Sequence, residues 1–168
     1  MAIDKITTAS ITSGVLPVNT PCFFASSSAD QSINNNTWTK LAFSNEVYDV
    51  GGVYNNSTYR FTPGFVGKSN ISSGIWAFDA QSKIFRVDLR LYKNGSWIVS
   101  KEQRYTSSDT TAERQSAEFN VTVQHDADDY YEVYGLHRTT DSGSADILSG
   151  SENNATFNNY FHAHKIIE

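Results

Sequence analysis

At 168 residues with a formal charge of −5, the chain is long enough for one domain with a sizeable core, and its acidic balance, without any Lys/Arg cluster, excludes a general binder of nucleic-acid backbones. Charged residues are only 18% and aromatics 13%, while Ser, Thr and Asn fill 50 positions, a profile that excludes a coiled coil or a disordered chain and favours strands. No apolar run approaches the roughly 20 residues that span a bilayer, so no membrane partner is expected.

Residues 1–21 differ from the rest. Ile3, Ile6 and Ile11 sit among Thr7, Thr8, Ser10, Thr12 and Ser13, followed by Gly14, Pro17 and Pro21. Such a segment cannot build a core, and it is expected to be an extended arm that orders against another surface, with a disordered tail as the alternative. It lacks a signal-peptide core, so export by the usual route is not expected. The single cysteine, Cys22, can form no intramolecular disulfide and no zinc site by itself, and beside Phe23 and Phe24 it is expected to be a small buried hydrophobe.

From Phe23 on, short apolar segments alternate with polar turns at the spacing of a sandwich or barrel. Over Phe85 to Tyr92 the period of two predicts Phe85, Val87, Leu89 and Leu91 inward, with Arg86, Asp88, Arg90 and Tyr92 outward. Asn94-Gly95 then predicts a tight hairpin that returns along Trp97 to Tyr105. Glu118 to Val123 repeats the alternation with Phe119, Val121 and Val123 inward, and Tyr130 to Leu136 and Thr156 to Ile167 are further strands. Thr110 to Glu118 holds a capping box at Thr110 and Glu113 but is too short for a stable helix; it is expected to be a loop, as is Ser142 to Asn154.

The run Trp38 to Asp49, then Tyr54, Ser57 to Pro63 and Gly67, resembles the globular head domain of complement component one, subcomponent q, which shares the tumour-necrosis-factor-like jelly roll. Leu91 to Ser96 is similar to that family's central hairpin, Tyr130 to Tyr134 to its strand after an acidic turn, and Phe157 to Ile166 to its closing strand. The resemblance implies an all-β, ten-stranded, two-sheet jelly-roll sandwich over residues 22–168, preceded by the arm, and assembly as a homotrimer. The 22 aromatics point the same way, since some must sit on a face that a neighbour covers; an isologous dimer would hide such a face equally well. One departure concerns the residue two after Gly67, usually aromatic in the family but Ser69 here; Trp76 and Phe78 are expected to take over its packing. Met1 to Ile11 resembles the start of many virion structural proteins of tailed bacteriophages, especially those of cyanobacteria and other marine bacteria.

Candidate sites are few. His162 and His164, two apart on a strand, share a face and could bind a metal where three copies meet on a threefold axis; the other reading is a surface or interface pair without a ligand. His125 to Asp129 gathers carboxylates that could hold calcium or simply form a solvated turn, and Asp141 and Asp146 carry the same two readings. Trp76, Trp97, Tyr105, Tyr130 and Tyr134 could stack on sugar rings or pack in the core or an interface. No nucleophile elbow or local carboxylate pair nominates a catalytic residue, and no cofactor or resident metal is expected. The Asn-x-Ser/Thr triplets at Asn35, Asn70, Asn94 and Asn154 are expected by chance and, without export, to stay unmodified.

These readings converge on a non-enzymatic virion protein, a capsid decoration, head fibre or tail fibre knob, made in the host cytoplasm and anchored to other virion proteins through Ile3, Ile6 and Ile11. The alternative is a carbohydrate-binding module that contacts host surface glycans; an enzyme that depolymerises such glycans ranks below both.

Overall fold

A computed structural model describes residues 19–105, 111–150 and 157–167. The described chain is all strand and contains no helix: β1 (Cys22–Ser26), β2 (Gln31–Ile33), β3 (Thr39–Lys40), β4 (Asn45–Val50), β5 (Tyr54–Asn55), β6 (Arg60–Phe61), β7 (Gly67–Phe78), β8 (Ile84–Lys93), β9 (Ser96–Arg104), β10 (Arg114–His125), β11 (Tyr131–Thr139), β12 (Ala145–Ile147) and β13 (Tyr160–Lys165). They pair antiparallel in two sheets, consistent with a jelly-roll sandwich, although the strands number thirteen where ten were expected.

In the first sheet β7 is the spine. Along one side it pairs with β10 from Gly67↔His125 to Phe78↔Arg114. Along the other it pairs first with β13 and then with β12. Beyond β13 lie β1 and β4, and beyond β12 lies β2. The second sheet runs β5-β6-β11-β8-β9, with β3 also against β11.

Two segments expected to be loops carry strands. Arg114 to Glu118 opens β10, because Gln115, Ala117 and Phe119 continue one buried period-two face. Ala145–Ile147, inside the Ser- and Gly-rich stretch, pairs with β2 and β7 and buries Ala145 and Ile147. Thr110 of the first segment, 151–154 of the second, and 1–18 of the arm expected at 1–21 lie outside the described residues.

The core holds side chains from both sheets. Phe23 stacks on Tyr54 with ring centroids 4.5 Å apart and meets Phe61 at 5.1 Å and Phe161 edge-on at 5.0 Å. In β8, Val87, Leu89 and Leu91 are fully buried as expected, but Ile84 rather than Phe85 fills the end of the row. The register slips between Arg138 and Thr139, which pair with Arg86 and Ile84, so a bulge sets Phe85 aside. The hairpin forms at Asn94-Gly95, with φ of 51° and 79°, the left-handed pair that a tight hairpin turn requires. Phe119 is buried, with Val121 and Val123 packed against the core behind it.

Candidate functional site

The outer face of the first sheet follows from strand parity. Phe23 points into the core, so Cys22 and Phe24 point away from it. Pairing then fixes two rows across the sheet: Val50, Cys22, His164, Asn70 and Thr122, and beside it Tyr48, Phe24, His162, Ser72 and Asn120. Cys22 is therefore not the buried hydrophobe expected; it is half-buried on this face.

Phe24 is the hub of the face. Its ring lies 5.0 Å from Phe157, 6.0 Å from Tyr160, and 6.1 Å from both Tyr48 and His162. Tyr160 lies over Gly74, where a Cβ would come within 2.7 Å of the tyrosine ring, so only glycine admits this packing. Tyr48 and Trp76 are each 42% exposed, which leaves a broad aromatic surface on an otherwise closed sheet. Toward β10 the face turns polar, with Asn70 Nδ2 donating to Asn120 Oδ1 at 2.7 Å.

His162 and His164 do share this face, with ring centroids 5.3 Å apart. Burial, and then the neighbouring His164, push the His162 imidazole below its usual pKa. Among the described residues no three His, Cys, Asp or Glu side chains are arranged to hold a metal ion.

The outer face of the second sheet differs in chemistry. The Arg90 guanidinium lies between two indoles, 3.9 Å from the Trp38 ring centre and 4.7 Å from that of Trp97. Tyr92 and Tyr134 meet at 4.3 Å, and Arg60 covers Tyr130 at 3.8 Å. Two carboxylates are buried here. Glu132 accepts from Lys40 Nζ at 2.8 Å and Arg60 Nη2 at 2.9 Å; burial raises its pKa, but these two cations outweigh burial and hold it below the usual range. Asp88, 1% exposed despite its outward parity, accepts from Arg86, and this hydrogen bond raises the arginine's pKa.

The acidic turn does not gather its oxygens around a common point. Asp129 turns inward to Lys93 Nζ (2.6 Å), Asn94 Nδ2 (2.6 Å) and the Asp126 N–H (2.8 Å), and Lys93 above all lowers its pKa to about 2 against the effect of burial. Asp141 pairs with Lys83 at 2.6 Å, and Asp146 stands opposite Phe78 and Ser32 in the sheet. His125 is buried, bonded to Ser69 Oγ at 2.9 Å and edge-on to Phe65 at 4.8 Å. This arrangement corrects the expectation for Ser69: His125 and Phe65 fill the space, while Trp76 and Phe78 point to the outer face.

Of the five aromatics considered for sugar stacking or packing, none is buried in the core. Trp76 and Trp97 are exposed, and Tyr105, Tyr130 and Tyr134 are half-buried. The first sheet gathers Trp76, the second Trp97, Tyr130 and Tyr134. Phe24, Tyr48, Tyr160, Trp38 and Arg90 were not nominated from sequence. The signal that could have found Phe24 is the adjacency of Phe23 and Phe24, since a strand can bury only one of two consecutive side chains on a given side.

No family model matches this sequence, and no curated protein does. Solved structures do. The chain superposes on Eiger TNF from S. frugiperda with a TM-score of 0.58 at 10% identity, covering 88% of this chain and 91% of that one. The fold is that of the C1q/TNF-like jelly rolls. The globular domain of zebrafish complement 1qA aligns with a TM-score of 0.58 at 11% identity over 88% of this chain and 98% of that one, and murine APRIL at 0.60 and 12% over 86% and 98%. Identities this low establish the jelly roll and leave the chemistry to the residues themselves.

Three histidines of this jelly roll carry a pH dependence. Burial is the leading cause that pushes His125, His137 and His162 below the ordinary value of 6.5. His137 is fully buried; its Nε2 lies 2.9 Å from the Ile33 carbonyl and 3.0 Å from the Ala145 N–H, and its Nδ1 has no partner among the described residues. A protonated ring would carry a buried donor with nowhere to donate. Between the folded pKa values and 6.5 the unfolded chain binds more protons than the folded one, so stability is complete above 6.5 and falls as the pH drops below it. Urea melts at stepped pH should show a loss that begins just below 6.5, well above the range where Asp129 and Glu132 titrate; a flat profile down to pH 5 would contradict it.

Proposed function

We propose that this jelly roll is a non-enzymatic binding and assembly module that forms a homotrimer through the outer face of its first sheet, and that it serves as a structural or attachment protein of a phage particle. The observation that carries the assembly is the aromatic surface centred on Phe24. A cluster of exposed Tyr48, Trp76 and Phe157 around half-buried Tyr160 on a regular sheet face is the kind of surface that a second and third copy cover. The virion role is supported by the likeness of Met1 to Ile11 to the start of phage structural proteins, with Ile3, Ile6 and Ile11 as the anchor to other virion proteins.

Native mass spectrometry at micromolar concentration should return three times the 18.7 kDa chain mass. The paired change Tyr48→Lys and Trp76→Lys should give a monomer with an unchanged far-ultraviolet spectrum, while Trp97→Ser on the opposite sheet should stay trimeric. A wild-type monomer or dimer overturns the threefold assembly. Deletion of residues 1–20 should leave the trimer intact but absent from purified particles, and its retention on particles would overturn the anchoring role.

A further inference from the structure

The outer face of the second sheet is rich in cations on a chain that is acidic as a whole. Its ladder places Arg138, Arg86 and Arg104 directly opposite one another on β11, β8 and β9, so three guanidiniums project from one row about 10 Å wide. Arg86 is neutralised by Asp88 at 2.7 Å and Glu102 at 2.8 Å. Arg104 and Arg138 have no carboxylate partner among the described residues; Arg138 donates only to Asn36 Oδ1, and Arg104 is exposed. Further along the same face Arg90 also has no carboxylate partner among the described residues, held between Trp38 and Trp97 and donating to Ser100 Oγ.

Lys40 and Arg60 share Glu132. Among the described residues the face thus presents six cations against the three carboxylates Glu132, Asp88 and Glu102, while the entire chain carries −5. Interleaved with these cations are rings: Trp97, 56% exposed, pairs with Tyr92 six residues along β8 from Arg86, a span of about 20 Å.

We infer that this face binds an anionic saccharide, with Arg104 and Arg138 taking its carboxylates and the rings around Arg90 taking its apolar sugar faces. A guanidinium fork matches a carboxylate in a bidentate geometry, and an aromatic plane accepts the C–H side of a pyranose. Single-stranded nucleic acid fits less well. Its affinity rests on phosphate contacts along the backbone, and a small excess of cations on a chain of net charge −5 supplies few of them. The inference is independent of the trimer, which uses the opposite sheet.

The test is calorimetric titration of the full chain with oligogalacturonate, its methyl ester, which has the same rings without charge, polyglutamate, which has charge without rings, and a single-stranded oligonucleotide. The acid form should bind, and the ester and polyglutamate should each bind at least tenfold more weakly. The paired change Arg104→Ser and Arg138→Ser, and separately Trp97→Ser, should each weaken binding of the acid form at least tenfold with the melting curve unchanged. Tyr48→Lys, on the assembly face, should leave it unaltered. Absence of binding by the acid form, polyglutamate or a single-stranded oligonucleotide binding as tightly, or indifference to the arginine changes would each overturn the inference.

Discussion

Replacing Phe23 with alanine should lower stability by about 3–5 kcal/mol, the range for removing a large buried aromatic, and the thermal midpoint by roughly 6–20 °C. Phe23 has no exposed surface and touches Tyr54, Phe61 and Phe161, rings supplied by β5, β6 and β13. These strands belong to both sheets, so the ring is where the sheets meet and the void has no flexible wall to collapse into. Urea denaturation measures the loss, with Val47→Ala on the exposed edge strand β4 as a comparison expected within about 0.5 kcal/mol of wild type. A Phe23→Ala loss below about 2 kcal/mol would show that the sheets close up over the gap.

Asn159→Ala should cost about 2–4 kcal/mol, although it removes only a small side chain. The Asn159 carboxamide is fully buried: its Oδ1 accepts from the Ser27 N–H at 2.8 Å, and its Nδ2 donates to the Leu148 carbonyl at 2.6 Å and to Ser27 Oγ at 3.0 Å. The variant would leave a buried N–H and a buried carbonyl unpaired, each penalised in full because no water reaches them. Asn159→Asp should fare no better, since a carboxylate has no donor for the Leu148 carbonyl. Asn158→Ala should cost less than half as much, because that neighbour is half-buried and has one side-chain bond among the described residues, to the Ser149 carbonyl. Equal losses for the two asparagines would contradict the assignment.

How far the fold could be read from the chain depended on parity. In β8 and β10 the alternation of apolar and polar residues is clean enough to separate core from solvent by itself, and Asn94-Gly95 fixes the hairpin between β8 and β9. Reading failed wherever an irregularity reset the period. The bulge opposite Arg138 and Thr139 exchanged Ile84 for Phe85, and the three residues of β12 are too few to show any period. Gln115 hid the start of β10 because a buried glutamine looks outward-facing in sequence.

The candidate faces were half legible. The sharing of a face by His162 and His164 follows from spacing alone, but their meeting with Cys22, Phe24 and Tyr48 depends on pairings between distant strands. The arginine row likewise requires the registers of β8, β9 and β11, which no local pattern encodes.

The middle of the first sheet brings together opposite stretches of the chain: β1 pairs with β13, Cys22 with His164, and the Lys165 N–H donates to the Pro21 carbonyl at 3.0 Å. During synthesis the earliest strand must therefore wait, its Phe23 uncovered on one flank, until the segment around Phe161 leaves the ribosome. Closure of this module is therefore a slow non-local event, during which nascent copies expose surface to one another and to chaperones.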